Sequence, residues 1–238
     1  MNIKNAWETY SEQELQEVFA LSEEYKQFIS ENKTERMCVS AAVAMAKAKG
    51  YRDLREVIAA KETLSPQDKV YLSMMDKSIV LFHIGNRPIE EGMHILGAHI
   101  DSPRLDLKQN PLYENSELSY LDTHYYGGIK KYQWVTLPLA LHGVIVKKDG
   151  TKVEVHIGEK DDDPVFVVSD LLVHLSGDQM QKKASNVIEG EDLNVTFGSM
   201  PLKEEEKDKV KANILRLLKE SYDVEEDDFV SAEIEVVP

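Results

Sequence analysis

The sequence predicts an α/β protein in two parts. Residues 1–103 fit an α/β domain with an incomplete sheet, and residues 104–238 fit an inserted, mainly β domain with one amphipathic helix. Helical patterns and apolar strand-like runs alternate before Arg104, whereas short strand-like runs separated by turn signals follow it. The first part thus resembles an α/β domain that is cut off before its sheet is finished, with the remainder absent from these 238 residues.

The first part begins with helical patterns. Ser11-Glu12-Gln13-Glu14 forms a capping box and predicts a helix over residues 11–30. A second helix is predicted from Thr34 to the stop signal at Gly50. Ser65-Pro66 predicts the start of a short third helix, since proline suits the first helical position. Strands are predicted over residues 78–84 and 93–99, joined by a turn at 85–88.

The second part reads as strands and turns, followed by a helix. Strands are predicted over residues 134–147 (as one long strand or a pair), 153–157, 165–168 and 230–236, and an amphipathic helix over 202–222. The last strand alternates apolar and polar residues, so it should carry one polar face. The acidic run 161–163 is predicted to be a solvated loop, because no calcium-binding spacing accompanies it.

His99 and Asp101 are the strongest candidates for chemistry. They end the predicted buried strand just before Pro103, and side chains two residues apart on a strand share a face. One imidazole nitrogen can bind a metal ion while the carboxylate fixes the ring through the other nitrogen. Spacing alone leaves an alternative open, namely a capped or solvated loop end.

Composition excludes several classes of function. The formal charge of −15 argues against binding to nucleic acid or to anionic membranes. The most apolar run, residues 134–146, is shorter than the roughly 20 residues of a spanning helix. Cys38 is the lone cysteine, which suits a reducing compartment, and no apolar signal-peptide core follows Met1. We therefore expect a cytoplasmic protein.

Four segments, in order along the chain, resemble the aspartyl aminopeptidase family of metallopeptidases. Residues 97–108 resemble the zinc-site segment, 126–129 the tyrosine–glycine turn, and Trp134 with 139–144 the tryptophan strand. Residues 168–175 are similar to the segment that carries a histidine into the neighbouring subunit's active site. The resemblance covers the whole chain in outline. It implies a metallopeptidase-type α/β catalytic domain with an inserted dimerisation domain.

The resemblance also implies an activity: a zinc-dependent aminopeptidase that removes single amino-terminal residues from peptides. His99 would be a ligand of one of two zinc ions, and Asp101 would be the carboxylate that orients it. His174 would act in trans and stabilise the substrate carbonyl as it becomes tetrahedral. The implied partners are peptide substrates and further copies of the chain, as a dimer that assembles up to a dodecamer in the family.

Two departures from the family's pattern matter. Residues 135–138 replace a charged Asp-Arg-Asp run, which leaves the preferred amino-terminal residue open. The family's remaining metal ligands would follow Pro238, whereas catalytic zinc needs about three protein ligands. The alternative is therefore a truncated, non-catalytic assembly or regulatory module of the same family, inactive by itself.

The remaining histidines are predicted to be structural, and His83 in particular is expected to be a half-buried strand residue. Their patterns place them in strands or loops without a second ligand: His83, His94, His124, His142 and His156. Of these, His124 repeats the carboxylate–histidine spacing in reverse with Asp122, but in a tyrosine-rich stretch predicted to be a loop.

Overall fold

The computed structural model describes residues 4–238, which form two compact units. The first unit extends to Asp101 and the second runs from Ser102 to Pro238. Helices and a small mixed sheet make up the first unit, and a larger antiparallel sheet with one 14-residue helix makes up the second. The fold is thus mixed α and β, as the sequence predicts. A domain boundary after residue 103 stays a prediction.

Between residues 4 and 101, the first unit contains three α-helices and a three-stranded sheet. Its elements are α1 (Glu12–Glu31), α2 (Glu35–Ala48), β1 (Arg52–Asp53), α3 (Leu54–Ala59), β2 (Lys69–Met74) and β3 (Ser78–His83). The sheet order is β1-β2-β3, with β1 parallel and β3 antiparallel to β2. Val39 of α2, Val57 of α3 and Val70 of β2 are among its buried residues.

The first two helices begin where the sequence predicts. Ser11 accepts a hydrogen bond from the backbone of Glu14, and the Glu14 carboxylate accepts one from the backbone of Ser11. Thr34 accepts a hydrogen bond from the amide of Met37 and caps α2. These side chains satisfy amides that an isolated helix end would leave unpaired. Within residues 4–238, no helix combines the length and the apolar content needed to cross a membrane.

The predicted helix at Ser65-Pro66 is wrong. The amide of Ser65 instead donates to the Asp68 carboxylate at 2.7 Å, and Gln67 has a left-handed φ of 76°, so the chain turns here. The third helix is α3, which starts earlier because the Asp53 carboxylate accepts a hydrogen bond from the amide of Arg55. An aspartate cap therefore decides the position of this helix, where the sequence reasoning relied on the proline.

The predicted buried strand over residues 93–99 is also wrong. This segment has no regular secondary structure, and Ile95 and Leu96 are 79% and 100% exposed. Among residues 4–238, no strand pairs with it. An apolar run becomes a buried strand only when neighbouring strands satisfy its backbone and cover its faces, and the described sheet supplies neither.

The second unit is built on a six-stranded antiparallel sheet. Its strands are β4 (Arg104–Asn115), β5 (Leu118–Tyr126), β6 (Ala140–Val146), β7 (Lys152–Ile157), β8 (Val195–Gly198) and β9 (Ala232–Val237), and its helix is α4 (Lys209–Tyr222). The strand order is β7-β6-β9-β4-β5-β8, so the last strand in the chain lies in the middle of the sheet. Leu105, Leu141, Ile145 and Val236 line the apolar face and are at most 3% exposed.

The helix α4 packs on this apolar face. Val210 is buried, and Ile214, Leu218 and Tyr222 lie against the core at helical spacing. The start of the helix is capped from the sheet, because the Glu114 carboxylate of β4 accepts hydrogen bonds from the amides of Val210 and Lys211 at 2.9 and 3.0 Å. The predicted helix is thus confirmed, but it begins at residue 209.

The strands β6 and β9 approach closely at Gly143. A side chain on Gly143 would place its Cβ 2.0 Å from the carbonyl oxygen of Glu233, which no real contact allows. The pairing of Gly143 with Ile234 therefore requires glycine.

Several predicted elements of the second unit need correction. The hairpin of β4 and β5 was not predicted, and the strand expected over 134–147 covers only β6. Residues 165–168 form isolated bridges to Val135, Leu139 and Thr196 in place of a full strand. The strand β9 carries Glu233 and Glu235 on one polar face, as predicted, and Glu235 is only 2% exposed.

Candidate metal-binding segment

His99 and Asp101 contact each other directly. Nδ1 of His99 lies 3.0 Å from the carbonyl oxygen of Asp101 and 3.1 Å from its carboxylate Oδ1. Both atoms are acceptors, so Nδ1 carries the proton and Nε2 of the neutral ring keeps its lone pair. The imidazole is 85% exposed, and within residues 4–238 its Nε2 has no hydrogen-bond partner. The ring is therefore oriented by Asp101 and able to accept a metal ion through Nε2.

Pro103 and Arg104, which follow Asp101 at the start of the second unit, contact the turn at residues 126–129. Gly127, with a left-handed φ of 77°, lies against Pro103, since a methyl group there would sit 3.7 Å from the proline Cα. The guanidinium of Arg104 stacks 4.2 Å from the centre of the Tyr126 ring. The turn singled out in the sequence at residues 126–129 thus fixes the backbone immediately after the His99–Asp101 pair.

His174 lies in the second unit, on a short 3-10 turn from Val173 to Leu175. The segment before the turn is stabilised by Asp170, whose Oδ1 accepts hydrogen bonds from the amide of Leu171 and from Gln179 Nε2. The apolar side chains of this turn are largely exposed to solvent, with Val173 77% and Leu175 70% exposed. His174 is therefore exposed within an apolar segment of the second unit, whereas His99 belongs to the first unit.

No complete metal site is found in the described part of the chain. Across residues 4–238, no group of three or more histidine, cysteine, aspartate or glutamate side chains converges as metal ligands do. A catalytic zinc ion takes about three protein ligands and a water molecule. The His99–Asp101 pair alone therefore supplies fewer ligands than a catalytic zinc site needs.

Two expectations for the other histidines are corrected. His83 is exposed at the end of β3, where its Nε2 lies 3.2 Å from Gln67 Oε1. His124 lies on β5 and stacks on Tyr125, so the stretch predicted as a loop is a strand. Its neighbour Asp122 forms an ion pair with Lys108 at 2.9 Å, which raises the pKa of that lysine.

Sequence reasoning missed a polar cluster around His142. This side chain, on β6 as predicted, is only 1% exposed and contacts His156 and Glu159. A histidine flanked by strand residues gives no sign of such partners, because they come from a neighbouring strand and a loop. Only the register of the sheet brings them together.

Comparison with known proteins identifies the class to which this fold belongs. The family of aminopeptidase I zinc metalloproteases, M18, matches residues 28–238. The chain belongs to this M18 family.

Named relatives agree with that assignment. A probable M18 family aminopeptidase 1 from Clostridium acetobutylicum is 61% identical over 236 residues, which cover 99% of this chain and 51% of that protein. The crystal structure of an M18 family aminopeptidase from Thermotoga maritima is 43% identical, with a TM-score of 0.90, and covers 100% of this chain and 51% of its own. That of aminopeptidase I from Borrelia burgdorferi is 42% identical, with a TM-score of 0.85, over 99% of this chain and 52% of its own. This chain thus spans about half the length of the relatives it matches.

Proposed function

We propose that this chain contributes a metal ligand to a zinc-dependent aminopeptidase, which removes single amino-terminal residues from peptides. Membership of the M18 family and relatives named as probable aminopeptidases support this activity. The observation that carries the proposal is the His99–Asp101 pair, in which a carboxylate holds the Nδ1 proton and leaves Nε2 for a metal ion.

In the proposed site, each residue has a separate task. His99 binds one of two zinc ions through Nε2, and Asp101 holds the ring in the required tautomer and orientation. When bound, zinc lowers the pKa of a water molecule and polarises the substrate carbonyl. His174, donated by a neighbouring copy of the chain, would hydrogen-bond the carbonyl oxygen as negative charge develops on it.

The proposal that His174 acts in trans rests on the surface around it. Leu172, Val173 and Leu175 are 70–77% exposed, and exposed apolar segments of this kind mark protein contacts. We propose that a second copy of the chain covers this segment, giving a dimer as the smallest unit of assembly. A cytoplasmic location stays a prediction based on the lone cysteine.

Metal analysis of variants of the natural full-length protein tests the site. His99→Ala should remove at least one zinc ion per chain and reduce peptidase turnover at least 100-fold, because a ligand is lost. Asp101→Asn should weaken zinc binding about 10- to 100-fold, because the amide cannot take over the carboxylate's charge. His94→Ala, an exposed histidine five residues earlier, is the matched control. Full zinc content and turnover in His99→Ala would disprove the assignment.

A second candidate function is a non-catalytic assembly module. It is favoured by the absence of a three-ligand cluster among residues 4–238. This candidate predicts self-association of the 238-residue polypeptide without zinc binding or peptidase activity. Reading the natural gene past the codon for Pro238 separates the two candidates, because further ligands encoded there support the enzyme and a stop codon supports the module.

A further inference from the structure

A row of titratable side chains crosses the sheet of the second unit. Cross-strand partners in the register place one member on each of five adjacent strands, from β7 to β5: His156, His142, Glu235, Asp106 and His124. Directly opposed residues of an antiparallel pair project from the same face of the sheet. This face is opposite the apolar face that packs on α4, and its centre is buried, with His142 1% and Glu235 2% exposed.

The imidazole rings of His142 and His156 contact each other through their Nδ1 atoms. Nδ1 of His142 lies 3.0 Å from Nδ1 of His156, and Nε2 of His142 lies 2.7 Å from Glu159 Oε1. On its far side, Nε2 of His156 is 3.8 Å from Glu154 Oε2. The two rings therefore form a chain between two carboxylates, with the buried ring on the inside and the half-exposed ring at the sheet edge.

The geometry limits how many protons the pair can hold. A hydrogen bond between two Nδ1 atoms needs a proton on one of them and a lone pair on the other. Two neutral rings satisfy this requirement, and so does one neutral ring beside one imidazolium. Two imidazolium rings do not, because both Nδ1 atoms would then carry protons 3.0 Å apart. The contact thus survives the first added proton and breaks with the second.

The other charged groups near the pair are mostly acidic. Glu159 reaches His142 from the loop after β7, and Glu235 faces His142 from β9. From β4, Arg104 Nε lies 3.5 Å from Glu235 Oε2 and 2.7 Å from Asp106 Oδ1. Glu233 occupies the next position on the same face of β9. One imidazolium is therefore well compensated here, whereas a second has no acceptor between the rings.

The loop that supplies Glu159 is itself ordered by one carboxylate. Asp163 Oδ2 accepts hydrogen bonds from the amides of Gly158, Glu159 and Lys160 at 2.9–3.2 Å. These bonds lower the pKa of Asp163, the one to Gly158 most. Asp161 and Asp162 are exposed, as predicted for a solvated loop, and the turn formed by Asp163 holds Glu159 against His142.

We propose that His142, His156 and Glu159 form an acid-sensitive latch, which fastens the 158–163 loop to the sheet while the two imidazoles share a single Nδ1 proton and releases it when both are protonated. His156 is the ring that leaves, because its side chain is 48% exposed whereas that of His142 is 2% exposed. Its departure exposes the His142–Glu159 contact to water and loosens the loop.

The sign of the pH dependence follows from the proton count. An imidazole in water takes up a proton around pH 6.5, and the open latch leaves room for a proton on each Nδ1. The closed latch resists the second proton, so the open form binds more protons below that pH. Opening therefore becomes more favourable by up to about tenfold for each pH unit below 6.5, and the latch holds best near neutral pH.

Hydrogen–deuterium exchange of the natural full-length protein tests the latch. After correction for intrinsic exchange, protection of peptides covering 158–163 should fall about tenfold between pH 6.5 and pH 5. In His156→Asn, the amide can still donate to or accept from Nδ1 of His142 but does not titrate, so protection should change less than twofold. His124→Asn, at the other end of the same row, should behave as the unmodified protein.

A His156→Asn profile that matches the unmodified protein would overturn the proposal. If that variant does not fold, imidazole resonances of the unmodified protein decide the matter. The two rings should then protonate in two steps more than one pH unit apart. Both rings protonating together near pH 6.5 would also overturn it. Neither readout depends on zinc or on peptidase activity, so the latch and the proposed function can fail separately.

Discussion

At the scale of single residues, Asp223 is the carboxylate whose charge the fold stabilises most clearly. It accepts from Lys147 across the unit and from Lys219 one turn earlier, and these hydrogen bonds lower its pKa from 3.8 to about 2. Since the pKa is lowered by folding, the stabilisation is complete above about pH 4 and disappears as the pH falls to about 2.

Replacing Asp223 with asparagine should therefore flatten the acid side of the stability profile. The thermal midpoint of Asp223→Asn should fall less steeply between pH 4 and pH 2 than that of the unmodified protein, because the variant has no charge to lose. Calorimetry across this window measures the slope. Asp162→Asn, which removes an exposed carboxylate from a loop, serves as the control. Equal slopes for all three proteins would contradict the prediction.

At the scale of elements, local signals explain the helices better than the strands. Ser11 and Thr34 are caps that can be recognised from sequence, because a helix end is satisfied by residues within one turn of it. The strand β4 contains Pro111, which argues against a strand, yet a register shift between Leu107 and Leu112 accommodates it. Pairing with β5 on both sides of the proline overrides the local signal, and nothing in residues 104–115 reveals the second partner, β9, which pairs with Leu105 and Asp106.

The helix α4 depends on a cap from another element, which suggests a direct test. Glu114→Ala should lower the free energy of unfolding by about 1 kcal/mol, because the amides of Val210 and Lys211 lose their acceptor and the helix start loses a negative charge. Urea unfolding followed by circular dichroism measures the change. Glu205→Ala, in the exposed segment before the helix, should leave stability within about 0.5 kcal/mol. A similar loss in both variants would argue against the cap.

At the scale of the whole molecule, the candidate site shows what one sequence can reveal. The contact between His99 and Asp101 is local, so spacing and the family resemblance were enough to nominate it. The cluster of His142, His156 and Glu159 depends on strand order and register, which no short motif encodes. The exposed segment 93–99 marks the opposite case, since a strand pattern is present but no strand among residues 4–238 pairs with it.

Assembly is the whole-molecule property that the apolar turn around His174 predicts. Replacing Leu172 and Val173 together with aspartate should weaken self-association at least tenfold, because two side chains more than 70% exposed in the single chain would be buried as charges in the complex. Sedimentation equilibrium of the natural full-length protein measures the dissociation constant. Ile58→Asp introduces a charge at an exposed apolar position of the first unit and is the control. If the double variant associated as strongly as the unmodified protein, the self-association contact would not lie at Leu172 and Val173.

The central position of β9 has a consequence for how the second unit is made. During synthesis, the hairpins β4–β5 and β6–β7 leave the ribosome early, but the strand that joins them arrives only with residues 232–237. Until then each hairpin exposes an unpaired edge, and a two-stranded hairpin alone is marginally stable in water. The two hairpins can therefore join into one sheet only after β9 has been synthesised.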